Sequence, residues 1–286
     1  MKKLRLSSSL NLHPASKDNI SEYVKEGLIF YKEIGFDAID FPTYLFDLSS
    51  DECLIRAEQA VRDSEEIGIK FELSHLLFSG RVCKEPAYLP IFNEQMHRSI
   101  EVAALLGVNY AVFHPNTTTI PMKNYSRKAE YDSVMNHLSP FVEHANKVGL
   151  NVVIENMRYV PHFAPVHRYC QTPDELCEVA DALGIGVCWD FGHAHINGIK
   201  QSEGIQYVGK RLKVLHVNDN FATEDEHLLP FLGNIDWKDA MHGLALVGFD
   251  GLFNYEVAAS RVPDAVKEAY SKYLIESANE LMSYIV

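Results

Sequence analysis

Leu183–Phe191 reads LGIGVCWDF, and the order of its residues decides how the rest of the chain is understood. A leucine and a glycine come first; glycine just past a helix takes the left-handed conformation that ends it. An apolar, β-rich run follows and stops at Asp190, with His193 three residues on. The same succession returns in IGFDAIDF, IGIKFELSH, LGVNYAVFH, VGLNVVIEN, VGKRLKVLHV and VGFDGLFNYEV. With LRLSSSL near the start, these runs make eight strand candidates, centred near residues 7, 41, 73, 112, 153, 188, 215 and 255.

The segments between them have helical periodicity. SEYVKEGLIFYKEIG sets Tyr23, Leu28, Tyr31 and Ile34 on one broad face, and TPDELCEVADALG opens with Thr172 as N-cap, Pro173 at the first position and Glu175 closing a capping box. SVMNHLSPFVEHANKVG and VKEAYSKYLIESANELMSYI are amphipathic as well, with Pro140 expected to kink or restart the former. Eight alternating β and α units predict an α/β fold, a single (β/α)8 TIM barrel over residues 1–286; an open doubly wound sheet would need no particular count.

Composition narrows the class of protein. The net charge of −13 argues against a general affinity for nucleic acid. The start, MKKLRLSSSL, lacks a signal-peptide core, and no apolar run is long enough to span a bilayer, so a soluble chain is expected. Cys53, Cys83, Cys170, Cys177 and Cys188 are an odd number without a CxxC pair, which fits a reducing cytoplasm rather than a disulfide framework.

In a barrel of this kind the active site lies at the C-terminal ends of the strands. Strand one runs into His13 and strand two into Tyr44; strands three and four end in His75 and His114. Strand five ends in Glu155 followed by Asn156, strand six in Asp190 with His193 beyond. Strand seven carries His216, then Asn218 and Asp219, and strand eight ends in Glu256. Any one of these is more often a structural residue; their shared placement is the signal. Carboxylates and imidazoles crowded at one mouth need a positive charge among them. One divalent cation resolves the conflict, and an oxygen-rich set with one imidazole suits Mn2+ or Mg2+, with Co2+ and Zn2+ as alternatives.

The motifs FHP, IEN, WDFGHAHING, LHVNDN, DEHLLPFLGNIDW and GFDGLFNYEV, in this order, resemble those of the xylose-isomerase-like barrels, which include sugar epimerases, inosose-processing enzymes and endonuclease-IV-type DNA repair enzymes. The resemblance implies one metal held by Glu155, Asp190, His216 and Glu256, with His193 on the substrate. It also implies that His75, His114, His193, Asp225 and His227 match the further ligands of the three-zinc cluster in the repair branch. The acidic charge and the short loop before Asp225 favour the sugar branch. Two departures separate the chain from ketose 3-epimerases: MRYVPHF after IEN lacks a second acidic residue, and the loop after HVND lacks an arginine.

The chemistry expected from these residues is proton transfer beside a carbonyl, through an enediolate, in a sugar or cyclitol isomerase or epimerase. Glu155 and Glu256 are the expected catalytic carboxylates, and His193, His114, His75, Arg158, Asp225 and His227 the expected substrate contacts. An inosose-type dehydratase, an endonuclease-IV-like multi-zinc phosphodiesterase and a non-catalytic sugar-binding barrel are the alternatives. Glu224, Asp225 and Glu226 disfavour a phosphorylated substrate, while Arg158 and Arg261 keep one open. The expected partner is a small sugar or polyol, with no nucleic acid and no membrane, in a homo-dimer or homo-tetramer. Tyr44, Phe46 and Phe78 form either an apolar wall or part of the core. His97, His137, His144 and His242 are expected on helix surfaces, and His195 outside the site.

Overall fold

The computed structural model describes residues 4–14, 18–78, 85–115, 120–121, 124–159 and 166–285. Cys83 and the VPHF of MRYVPHF lie outside them. Eight parallel strands form the barrel: Arg5–Ser9, Ala38–Pro42, Lys70–His75, Tyr110–Phe113, Val152–Glu155, Gly186–Asp190, Leu212–His216 and Leu252–Tyr255. The first strand pairs with both the second and the eighth. Strands seven and eight close the ring: Val217 donates to the Asn254 carbonyl (2.8 Å) and Glu256 to the Val217 carbonyl (3.1 Å). The expected (β/α)8 barrel is therefore the fold.

Nine helices surround it among the described residues: α1 (Ile20–Ile34), α2 (Glu52–Ile67), α3 (Leu89–Leu105), α4 (Arg127–Lys147), α5 (Pro173–Leu183), α6 (Phe191–Ile196), α7 (Gln201–Val208), α8 (Trp237–Val247) and α9 (Asp264–Ser283). The extra one is α6, a short helix between strand six and α7. Asp190 starts it by accepting from the His193 N–H at 2.6 Å. Gly184, at φ 67°, ends α5 in the left-handed conformation expected of LGIG.

Two local expectations need correction. Thr172 makes no side-chain cap; Glu175 is instead engaged by Tyr125 (2.6 Å), His167 (2.8 Å) and the Cys170 N–H (3.1 Å). Those partners come from the loops after strands four and five, so tertiary contacts take the carboxylate a capping box would have used. Pro140 lies within α4, which continues through it to Lys147. Asp236 caps α8, accepting from the Asp239 N–H, and Trp237 behind it is buried.

The barrel interior has its own core. Ala38, Leu73, Val112, Val153, Cys188, Val214 and Leu252 pack with one another, apart from the larger core between strands and helices. Side chains alternate across a strand, so the residue two places on points to the same face. Those residues are Asp40, His75, His114, Glu155, Asp190, His216 and Asn254. An apolar plug thus lies directly beneath a polar ring, which is what positions the site.

Candidate metal-binding active site

Glu155, Asp190, His216 and Glu256 converge from strands five to eight, and each offers an atom within 4.8 Å of the others'. His216 Nδ1 lies 3.2 Å from Glu155 Oε1 and 3.1 Å from Glu256 Oε2. These are not hydrogen bonds: both Glu155 oxygens and both His216 ring nitrogens are buried without a hydrogen-bond partner among the described residues. Leaving such atoms unpaired is costly, and ligation of one cation satisfies them together. The donor set, three carboxylates and one imidazole, suits a hard divalent ion. The residues fit the metal that the sequence implies.

Asp190 is held from two sides. The Asn218 side-chain amide donates to Oδ2 (2.8 Å), and Asn156 pairs with the Asp190 backbone through its N–H (2.7 Å) and carbonyl (2.9 Å). The asparagines of IEN and HVND therefore orient a candidate ligand. Asp219 organises the following loop instead, accepting from the N–H groups of Asn220, Phe231 and Ile235 and from the Trp237 indole.

The other expected substrate contacts form two further ligand groups. His75 and His114 join Glu155 on one side; His193, Asp225 and His227 form the second. Glu155 Oε2 lies 3.0 Å from His114 Nε2 and 3.8 Å from His75 Nε2, so this carboxylate is shared between two groups. In the other group, Asp225 lies 3.4 Å from His193 Nε2 and 3.3 Å from His227 Nε2. Arg158 donates to Asp225 at 2.7 Å, which makes it a support for that carboxylate as well as a neighbour of the mouth.

Backbone carbonyls set the tautomers. Nδ1 of His75 faces the Leu76 carbonyl (2.9 Å), Nδ1 of His193 that of Asn156 (2.8 Å) and Nδ1 of His227 that of Glu256 (2.9 Å). A carbonyl accepts only, so each Nδ1 carries the proton and each neutral ring presents a bare Nε2, as metal-binding histidines do. His227 adopts φ 48° to reach this position.

Charge in the site is mutually compensated. Burial works against ionising Glu256, but His216 and His227 outweigh it and hold its pKa at about 2. Burial, together with Glu155 and Glu256, pushes Asp190 up to about 6 against the pull of His193. Burial disfavours the charged form of His227, yet Asp225 and Glu256 raise it to about 10. Acids and imidazoles thus share protons where a cation would replace them.

Two strand-end expectations are corrected. His13 lies outside the mouth, packed on Tyr23 of α1 with ring centroids 4.1 Å apart. Tyr44 lies in the turn after strand two, and the inward residue of that strand is Asp40, which sequence reading missed; its place two residues beyond the interior Ala38 was the available signal. The aromatic wall is partly as expected: Tyr44 and Phe78 pack edge to face beside His75, while Phe46 is buried against Phe41 in the core. His195 bonds Asn234, outside the ligand groups.

A profile described as the xylose isomerase-like TIM barrel matches residues 28–277. The chain belongs to this family. Among curated proteins, an uncharacterized protein of Methanocaldococcus jannaschii is 32% identical over 194 residues, which is 65% of this chain and 63% of that one. An uncharacterized protein of Sinorhizobium fredii is 24% identical over 169 residues, 59% of this chain and 53% of its own. The chain thus covers less than two thirds of either relative. Solved structures match over nearly full length. They include a D-tagatose 3-epimerase-like protein (TM-score 0.70, 21% identity, 98% of each chain). Another is a 3-keto-D-glucoside 4-epimerase from E. coli (0.74, 16%, 98% of this chain and 100% of that one). At these identities the likeness is one of fold. No helix among the described residues is long and apolar enough to cross a membrane.

Proposed function

We propose that the protein is a divalent-metal-dependent isomerase or epimerase of a neutral sugar or cyclitol. The observation that carries this reading is the quartet Glu155, Asp190, His216 and Glu256, in which two carboxylates from strands five and eight flank one imidazole. A divalent ion bound there would polarise a carbonyl and the hydroxyl beside it. Mn2+ or Mg2+ is the proposed ion, with Co2+ and Zn2+ as alternatives. Glu155 and Glu256 are placed to remove a proton next to the carbonyl and to return one. Asn156 and Asn218 keep Asp190 aimed, and the aromatic pair Tyr44 and Phe78 lines one side of the mouth. Expulsion of a β-hydroxyl from an inosose would use the same residues. We extend the proposal to a cytoplasmic dimer or tetramer that binds no nucleic acid.

One observation favours a second reading. The three ligand groups, two of them sharing Glu155, provide for three ions, and a three-zinc centre suits phosphoester hydrolysis. Metal content per chain, measured after chelation and refilling, separates the two readings. One Mn, Mg or Co together with solvent-deuterium incorporation into a ketose or inosose supports the first. Three zincs with cleavage of abasic DNA or another phosphoester supports the second. With an active substrate in hand, Glu256→Gln is expected to fold and lose turnover; an unchanged rate would sink the proton-transfer role.

A further inference from the structure

The polar ring at the strand ends has two unlike sectors. On strands three to seven, His75, His114, Glu155, Asp190 and His216 all belong to ligand groups. On strands eight, one and two the corresponding residues are Asn254, Ser9 and Asp40, which belong to none. Asp40 is 1% exposed. Its Oδ2 accepts from Ser9 Oγ (2.9 Å) and Asn254 Nδ2 (3.0 Å), and Asn254 Oδ1 accepts in turn from Ser7 Oγ (2.8 Å). The other oxygen, Oδ1, is buried and accepts nothing from the described residues. Asn11 repeats the situation above it: its amide donates to the Val257 carbonyl, next to Glu256, while its own Oδ1 is buried without a donor.

Ser7, Ser9 and Asn254 hold Asp40 in place, and acceptors are left over. Two buried acceptor oxygens without donors, one of them on a carboxylate, cost stability unless a ligand supplies the donors. The sector also has a sign. No cation pairs with Asp40 among the described residues, and Glu256 stands one place further up the same strand face as Asn254. A phosphate or carboxylate would meet two anions here, whereas a hydroxyl would bring the missing proton.

We propose that the sector formed by strands eight, one and two, anchored by Asp40, binds hydroxyl groups of the substrate, so that the part of the substrate lying there is an uncharged polyol. This rests on the carbohydrate reading above. Asp40 is a specificity-determining residue, distinct from the metal ligands, and Ser9 and Asn254 position it.

Asp40→Asn keeps the shape and exchanges an acceptor for a donor. Metal content and melting temperature are expected to stay at wild-type values. On the ketose or inosose that the wild type turns over, kcat/KM should fall roughly tenfold or more, the size of a hydrogen bond to a charged group. A deoxy analogue lacking the bound hydroxyl should cost the wild type a similar factor and the variant little. Kinetics equal to wild type, or loss of metal from the variant, would overturn the assignment. If no ketose or inosose reacts, the carbohydrate reading itself fails, and crystals soaked in molar glycerol then test the sector alone. A glycerol hydroxyl on Asp40 Oδ1 supports it; a protein group filling that position overturns it.

Discussion

His227 donates from Nδ1 to the main-chain carbonyl of Glu256, 2.9 Å away. One hydrogen bond therefore joins a residue of the loop after strand seven to a residue at the end of strand eight, and each belongs to a different ligand group. The same bond turns His227 Nε2 toward Asp225. Replacing His227 by Ala removes a ligand of one group and a support of the other. The variant is expected to bind metal at the His193–Asp225 group at least about tenfold more weakly, and the quartet more weakly by a smaller factor. Competition with graded chelator measures both; unchanged affinity at both places would rule out the coupling.

Glu155 has the opposite character, since it is a ligand candidate in two groups at once. Glu155→Gln keeps the volume and removes the charge. It is expected to lower metal content at both of its groups together, whereas Asp225→Asn lowers only the third. If elemental analysis of Glu155→Gln shows a loss confined to one group, the carboxylate is not shared in solution.

The contrast between these residues explains what was legible in the sequence. Barrel strands show themselves because LGIGVCWDF and its six counterparts join a helix-ending glycine to a strand, and a polar residue at the end of such a run has only one place to go. Asp190, His216 and Glu256 are readable for that reason. Asp40 was hidden because strand two continues through Phe41 and Pro42, so the polar residue that faces inward is not the one that ends the run. Alternation, not position at the end, decides the face. His13 misled for the same cause: it follows strand one in sequence, but the chain carries it back onto α1. The roles of Asn156 and Asn218 depend on contacts between neighbouring strands, which no single segment encodes.

His137 offers a pH test away from the candidate metal ligands. Rather than lying on the helix surface as expected, it packs between Phe92 and Phe141, and burial lowers its pKa below the ordinary 6.5. The unfolded chain then binds a proton that the folded chain refuses, so stability rises with pH across this window. As pH falls through 6.5 toward the lowered native value, the contribution is lost. His137→Phe should remove that dependence: its melting temperature should gain on wild type at pH 5.5 and converge with it at pH 8. A constant difference at both values would show that His137 does not titrate with folding.

Gly192, the glycine of DFGH, links the backbone to the candidate metal site. A Cβ there would lie 2.0 Å from Asn218 Oδ1 and 2.8 Å from Asn220 Nδ2. Both asparagines are fully buried, so neither has room to swing away. Asn218 is the residue that donates to Asp190 Oδ2, and Asp190 both caps α6 and belongs to the quartet. Gly192→Ala must therefore move Asn218 or tilt α6, and either change releases Asp190. The expected cost is about 1–3 kcal/mol of stability, typical of an overpacked core, and a metal affinity at the quartet lower by about 10–100-fold, typical of a lost supporting contact. Gly198→Ala is the control. Its φ of 69° makes an alanine strained, but a Cβ there meets nothing within 4 Å. It should cost about 1 kcal/mol and leave metal affinity unchanged. Calorimetry and chelator competition on the two variants give the answer: if Gly192→Ala loses stability but keeps its metal, Asn218 is packing alone and does not hold Asp190 in place.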